Sequence, residues 1–377
     1  MDPKKLIMAG LPMIAVTYGF ARFSYGLVLP YLRESLDINP SVAGIISSLS
    51  YLAYCIAIIL AMLYMKKVGS RMLILIAGIT AAMGMSIISI AGGAITLGIG
   101  IWIAGLSTGL SSPPYAEVIK EWVDQDQRSQ ANTWINAGTS LGTALTGVMV
   151  IFLADNWRLT YLLFTLLAII IWIVNYKIIP KTKDTNKIRQ TQAFHVTKRE
   201  LVAAYPLILS SLVLGISSAA YWTFSRDLLF QIETIPEALI QLFWIIIGLA
   251  GVLGGFAGYF SSRIGLLPSY RISVLLLGAS SLLLGLFTNV LSVVISAIAF
   301  GSSYIFMTGV LIIWGINSFK TNSSFGLGLP FLLLALGQVF GSLIGGVVSE
   351  GIGYENMFIV FAMTGFIALI FKPEKGV

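Results

Sequence analysis

Cysteine, histidine and acidic residues are scarce in this chain. Of 377 residues one is Cys (Cys55) and one is His (His195), so no internal disulfide can form and the ligand spacing of a zinc site is missing. Only 16 residues are Asp or Glu, and charged residues of both signs make up 10% of the chain, against roughly 25% in soluble domains. No GxxxxGK[ST] loop occurs, and no polar stretch is long enough to form a nucleotide-hydrolysing domain. An enzyme or an ATP-driven pump is therefore not expected, and neither a cofactor nor a metal is implied.

Apolar residues fill the space. They make 57% of the chain, the mean hydropathy is +0.91, and a membrane-spanning helix needs about 20 of them in a row. Twelve runs qualify: 6–32, 41–65, 72–93, 96–119, 130–154, 158–179, 201–229, 236–261, 269–288, 290–316, 324–349 and 354–371. The first lacks a small-residue cleavage site and a second follows closely, so it reads as a retained helix rather than a signal peptide. Nineteen of the 23 Lys and Arg residues fall on alternate gaps. Arg33, Arg158 and Arg226 fall at the other gaps or the run ends beside them, and Arg22 alone sits deep inside a run. Basic loops face the cytoplasm, so the bias predicts a multi-pass protein of the plasma or inner membrane with both termini cytoplasmic. It also accounts for the net charge of +7 without nucleic acid as a partner; lipid headgroups are the expected neighbours.

The longest polar stretch, residues 180–200, divides the chain into an N-terminal bundle at 1–179 and a C-terminal bundle at 201–377. Within it Thr197 and Glu200 have the spacing of a capping box opening helix 7. The stretch reads as a solvated cytoplasmic linker or, alternatively, as a short helix lying on lipid headgroups. An ungapped shift of 196 residues superimposes Gly19 on Gly215, Tyr25 on Tyr221, Pro40 on Pro236, Gly69 on Gly265, Gly105 on Gly301 and Ser107 on Ser303. The halves read as copies, with each proline opening an even-numbered helix at its first turn. Parallel repeats related by an axis along the membrane normal place a substrate site between them near mid-membrane.

The segment YMKKVGSR at 64–71 and its counterpart GYFSSRIG at 258–265 resemble the G x L a D R x G R R/K loop of the major facilitator superfamily. NWRLTYLLF at 156–164 resembles that family's turn into helix 6. With twelve runs, a polar middle and a repeat, the resemblance covers nearly the whole chain and implies an all-α membrane fold of two six-helix bundles. Lys66 and Ser262 stand where the family pattern has Asp, and Met62 stands for its first Gly. The latch associated with that Asp must then be built otherwise, from Lys66, Lys67, Arg71 and a carboxylate such as Glu117 or Glu121. Gly138, Gly142 and Gly147 on helix 5 resemble the antiporter motif G x x x G P x x G G, with Thr143 and Thr146 as departures. Together with Gly337, Gly341, Gly345 and Gly346 on helix 11, they predict close seams between helices 5 and 8 and between helices 2 and 11.

In the family, helices 1, 4, 7 and 10 line the cavity. Tyr18, Arg22 and Tyr25 on helix 1 have i, i+4, i+7 spacing and so share one face of an α-helix. Ser107 and Thr108 on helix 4, Tyr221 and Trp222 on helix 7, Ser303 and Tyr304 on helix 10 and Gln338 on helix 11 complete the candidate substrate set. Asn136, Tyr51, Tyr54 and Trp314 are lesser candidates. Arg22 lies ~10 residues, or ~15 Å, from the outer end of its run, and an arginine at that depth costs at least ~2.5–3.5 kcal/mol unless it faces a cavity or partner. It reads as a fork for a carboxylate, sulfonate or phosphate, or as a structural arginine bonded to helix carbonyls or an acid. No Asp or Glu lies in the middle third of any run. Proton coupling would then fall to Asp227 beside Arg226, to Glu34 or to Glu117. Asp227 and Arg226 also read as an interfacial ion pair, and an anion can bring its own proton. Pro113 and Pro114 are expected to bend helix 4 as a gate, or to end it.

The function expected is secondary active transport by alternating access, as symport or antiport, of a small organic anion by a monomer. The alternatives are an exporter of drugs or metabolites with an aromatic, apolar cavity, and a receptor without flux.

Overall fold

The computed structural model describes residues 2–153, 156–181, 197–319 and 322–373, and every regular element among them is helical. Eleven helices are long and apolar enough to cross a membrane. They are Pro3–Leu36, Pro40–Val68, Ser70–Ser89, Ala94–Trp122, Gln130–Leu153, Trp157–Ile178, Tyr205–Phe230, Glu237–Ile264, Leu266–Leu286, Val290–Ser318 and Phe325–Ile352. They are numbered 1 to 11 here. Helix 12, Tyr354–Ile370, is apolar but shorter than the rest. Each of the twelve apolar runs has become a helix, as hydropathy predicts.

Polar residues at the run ends set where the helices start. Asn39, Asn156 and Asn322 each accept a backbone N–H three residues on, from Val42, Leu159 and Phe325. Asn289 and Ser292 bond each other reciprocally at the start of helix 10. Such caps satisfy donors that hydrocarbon cannot. Thr197 and Glu200 do form a capping box, but it opens a separate short helix, Lys198–Ala203, ahead of helix 7. Pro40 opens helix 2 at its first turn, whereas Pro236 sits one position earlier, as the cap residue of helix 8. Most of the 180–200 stretch, with His195, lies outside the described residues.

Contacts separate the chain into two compact units, Met1–Arg189 and Gln190–Val377. The same local geometry recurs in each. Gly69 has φ 85° and Gly265 φ 94°, and each is the sole residue between two helices, helices 2 and 3 or helices 8 and 9. A side chain with a Cβ is strained there. A Cβ added to Gly19 would lie 2.7 Å from the Cα of Gly142, and one added to Gly215 would lie 2.9 Å from the Cα of Gly337. Helix 1 is thus pressed backbone to backbone on helix 5, and helix 7 on helix 11. The glycines expected at seams with helices 8 and 2 face helices of their own unit: Gly138 and Gly142 face Leu11 and Ala15 of helix 1, and Gly337 and Gly341 face Leu212 to Ala219 of helix 7. Small residues four apart mark a close crossing, but the spacing does not say which helix fills it.

Helices 1 and 7 are the most enclosed of the eleven, each with 72% of its apolar window buried, while helix 6 has 33%. Polar side chains on helices 1 and 7 therefore have to find partners inside the protein. Helix 6 turns Ile169, Ile170 and Ile173 outward, as a helix facing acyl chains does.

Candidate functional site

Helix 1 is not a uniform α-helix. Residues Ala15–Phe23 follow π geometry between two α segments, and the amide of Ser24 donates to the carbonyl of Gly19, five residues back. Pro12, just upstream, brings no N–H to the ladder. Hydroxyls occupy carbonyls at both ends of the segment: Thr17 Oγ1 donates to the Met13 oxygen at 3.1 Å and Ser24 Oγ to the Phe20 oxygen at 2.5 Å. Such π segments are rare and often coincide with functional sites.

The wider turn changes which side chains meet. Tyr18 and Phe23, five apart, approach to 6.3 Å between ring centroids, and the Arg22 guanidinium carbon lies 6.0 Å from the first ring and 5.3 Å from the second. Helix 2 adds Tyr51 at 4.7 Å and Tyr54 at 4.3 Å. Tyr18 also meets Tyr54 edge-on, at 6.4 Å between ring centroids. Arg22 is only 6% exposed, inside a cage of four aromatic rings within cation–π range. The expected face of Tyr18, Arg22 and Tyr25 is corrected accordingly: Tyr25 turns away and donates its hydroxyl to the Ala43 oxygen at 2.9 Å. An i, i+4, i+7 reading presumes 3.6 residues per turn, which this segment does not keep.

On helix 4, Ser107 and Thr108 are fully buried. Ser107 bonds the Ala104 oxygen of its own helix, and Thr108 reaches the Thr17 oxygen at 3.3 Å. They fasten helix 4 to itself and to helix 1. Pro113 and Pro114 lie within an unbroken helix Ala94–Trp122, so they do not end it.

Helix 7 is regular through Tyr205–Phe230. Its Trp222 meets Tyr304 and Phe300 edge-on, each at 5.2 Å, and Trp244 at 6.0 Å. Gln338 on helix 11, 1% exposed, donates to the Tyr304 hydroxyl at 3.1 Å and the Ser218 hydroxyl at 3.4 Å. Trp222, Tyr304 and Gln338 are thus brought together, with Ser218 added. Tyr221 instead stacks on Phe300 at 3.7 Å and shares a 2.8 Å hydrogen bond with Ser296. Ser303 bonds the Phe300 oxygen of its own helix.

The charges near the end of helix 7 are enclosed by the protein. Arg226 is fully buried and Asp227 is 3% exposed. The Asp227 carboxylate accepts the hydroxyl of Tyr354, the first residue of helix 12, and the Arg226 guanidinium lies 5.6 Å from the Phe230 ring. Burying two ions is costly enough to require such partners. Among the other expected coupling or latch residues, Glu34, Lys66 and Lys67 are exposed. Glu117 pairs with Lys120 one turn on at 3.8 Å. Arg71 donates to the Tyr176 oxygen at 2.6 Å and lies over that ring, tying helix 3 to helix 6. Among the described residues no three His, Cys, Asp or Glu side chains are grouped to hold a metal.

Phe23 escaped the sequence reading, and Tyr51 and Tyr54 were ranked below the residues they outdo. Their i, i+3 spacing on helix 2 was a usable signal; the π register that admits Phe23 was not.

Comparison with known proteins agrees with this architecture. The family model of the Major Facilitator Superfamily matches residues 13–329. The hexuronate transporter of Bacillus subtilis (strain 168) is 22% identical over 369 residues, covering 90% of this chain and 86% of that protein. Among solved structures, the inward-open xylose transporter XylE from E. coli superimposes with a TM-score of 0.80 at 14% identity, covering 99% of this chain and 97% of that one. The nucleoside transporter NupG gives 0.80 at 14%, covering 98% of each. At these identities the two structures speak to the fold. The chain belongs to the Major Facilitator Superfamily and is a multi-pass membrane transporter of a small molecule, not an enzyme.

Proposed function

We propose that this transporter moves a small organic anion by alternating access and that Arg22 grips the anionic group. The observation that supports the reading most is the guanidinium itself, 6% exposed in the most enclosed class of helix and surrounded by the faces of Tyr18, Phe23, Tyr51 and Tyr54. Ring faces stabilise a cation by about 0.5–2 kcal/mol without cancelling its charge. A guanidinium can bond a carboxylate through two parallel hydrogen bonds. The similarity to a hexuronate transporter points the same way, since a hexuronate carries a carboxylate on a polyhydroxylated skeleton.

Asp227, buried against Tyr354, is the acid we assign to proton coupling, as symport or antiport. The distribution of Lys and Arg supports a plasma or inner membrane location, cytoplasmic termini and a cytoplasmic linker at 180–200. The grouping of Trp222, Trp244, Phe300 and Tyr304 favours a second reading, an exporter of apolar aromatic compounds. Uptake of radiolabelled carboxylates, sulfonates and lipophilic cations into proteoliposomes separates the two. Arg22-dependent flux of an anion supports the first, and anion flux unaffected by Arg22→Ala would sink it.

A further inference from the structure

Helices 3 and 6 run side by side on the outside of the N-terminal unit and carry a groove apart from the candidate substrate residues. Gly78, Ala82 and Met83 on helix 3 and Ile169 and Trp172 on helix 6 line a groove of about 380 Å³. Gly78 makes room for the indole: a Cβ there would lie 2.7 Å from Trp172 Cδ1. The indole N–H is held by the Leu75 oxygen at 3.0 Å, so the groove's floor is fixed. From Trp172 an aromatic stack leads along helix 6 to Tyr176, 5.8 Å away with planes 24° apart, and from Tyr176 to the guanidinium of Arg71 at 5.1 Å.

At the Arg71 end the two adjoining chain segments carry basic residues alone. Lys66 and Lys67 in the last turn of helix 2, and Lys177 and Lys181 at and beyond the end of helix 6, are exposed, and the Arg71 hydrogen bond to Tyr176 joins these helix ends. No Asp or Glu occurs in residues 64–72 or 172–181. Gly78 to Ser86 lie seven to fifteen residues from Arg71, or ~10–22 Å along the helix. A single leaflet's hydrocarbon depth is ~15 Å. A molecule with an anionic head at the level of Arg71 and an acyl chain of leaflet length would match both ends of this surface.

We propose that this face is a binding site for one anionic phospholipid, its phosphate among Lys67, Arg71 and Lys177 and one acyl chain in the groove over Trp172. The charge complementarity selects an acidic headgroup over a zwitterionic one. The rigid aromatic floor gives the chain a fixed partner where the rest of helix 6 offers mobile aliphatic side chains.

The test uses purified full-length protein in detergent, with palmitoyl-oleoyl phosphatidylglycerol and phosphatidylcholine as probes. Retained lipid is counted by native mass spectrometry, and affinity is taken from the lipid-dependent shift in thermal unfolding. The expected result is one retained phosphatidylglycerol and preference for it over phosphatidylcholine. Lys67→Gln/Lys177→Gln, which touches only exposed side chains, should weaken phosphatidylglycerol roughly thirtyfold, because each juxtamembrane cation is worth about a factor of five. Ala82→Phe, which fills the groove, should also release it. Equal retention of the two lipids would overturn the proposal, as would unchanged retention in either variant. So would stabilisation by soluble glycerol phosphate equal to that by the lipid.

Discussion

Helix 1 and helix 7 occupy equivalent places in their units and solve the same problem differently. Both are enclosed to the same degree, both press a glycine onto a glycine of a partner helix, and both bury an arginine. Helix 7 stays α-helical and sets an acid next to its arginine, with Tyr354 on the carboxylate. Helix 1 unwinds into a π segment and surrounds its arginine with ring faces. The difference teaches that the units are copies in backbone packing and not in the surroundings they give a buried arginine.

The most damaging break of that comparison is Arg22→Ala. If the fork makes two charge-assisted hydrogen bonds, each worth about 1.5–3 kcal/mol, kcat/KM for the anion should fall at least ~100-fold in proteoliposome uptake. Arg22→Lys should recover only part of it, because an ammonium cannot bond in parallel. Asp227→Asn tests the other helix. It should abolish concentrative uptake driven by a pH gradient while leaving equilibrium exchange of the anion measurable. Equal loss of both would assign Asp227 to binding or folding instead.

The shared backbone packing is tested by Gly142→Val and Gly337→Val. Each forces side-chain atoms into a partner backbone and should lower stability by about 1–3 kcal/mol, by similar amounts in thermal unfolding. A large disparity would mean the two crossings are not equivalent. The smallest effect is expected at Tyr54. Replacing it by Leu removes the ring closest to Arg22 and should weaken anion binding by a few-fold to ~30-fold, in line with a cation–π contribution of about 0.5–2 kcal/mol. Tyr54→Phe, which keeps the face, should change it less.

Much of the fold could be read from the residues because its causes are local. Hydrocarbon demands apolar runs, and these mark each helix. A one-residue reversal demands glycine, and Gly69 and Gly265 lie 196 positions apart for that reason. The burial of Arg22 was legible too, since charge inside an apolar run needs no structure to notice. What was hidden depends on registers and partners. The π segment moves Tyr25 to Ala43 and brings Phe23 to Arg22, and no periodicity carries that shift. The glycines of helices 5 and 11 announced a close crossing, but the crossing helices turned out to be 1 and 7. The burial of Arg226 and Asp227 was masked by their position at a run end, where charges ordinarily meet water.

The single-residue turns at Gly69 and Gly265 leave the chain no slack. Consecutive Cα atoms are 3.8 Å apart, so the joined ends of helices 2 and 3, and of helices 8 and 9, cannot draw apart without unwinding a helical turn. In a molecule whose work is movement, those two joints, and the like one at Gly353 between helices 11 and 12, act as tethers, so that flexing falls to the helices or to the longer connections.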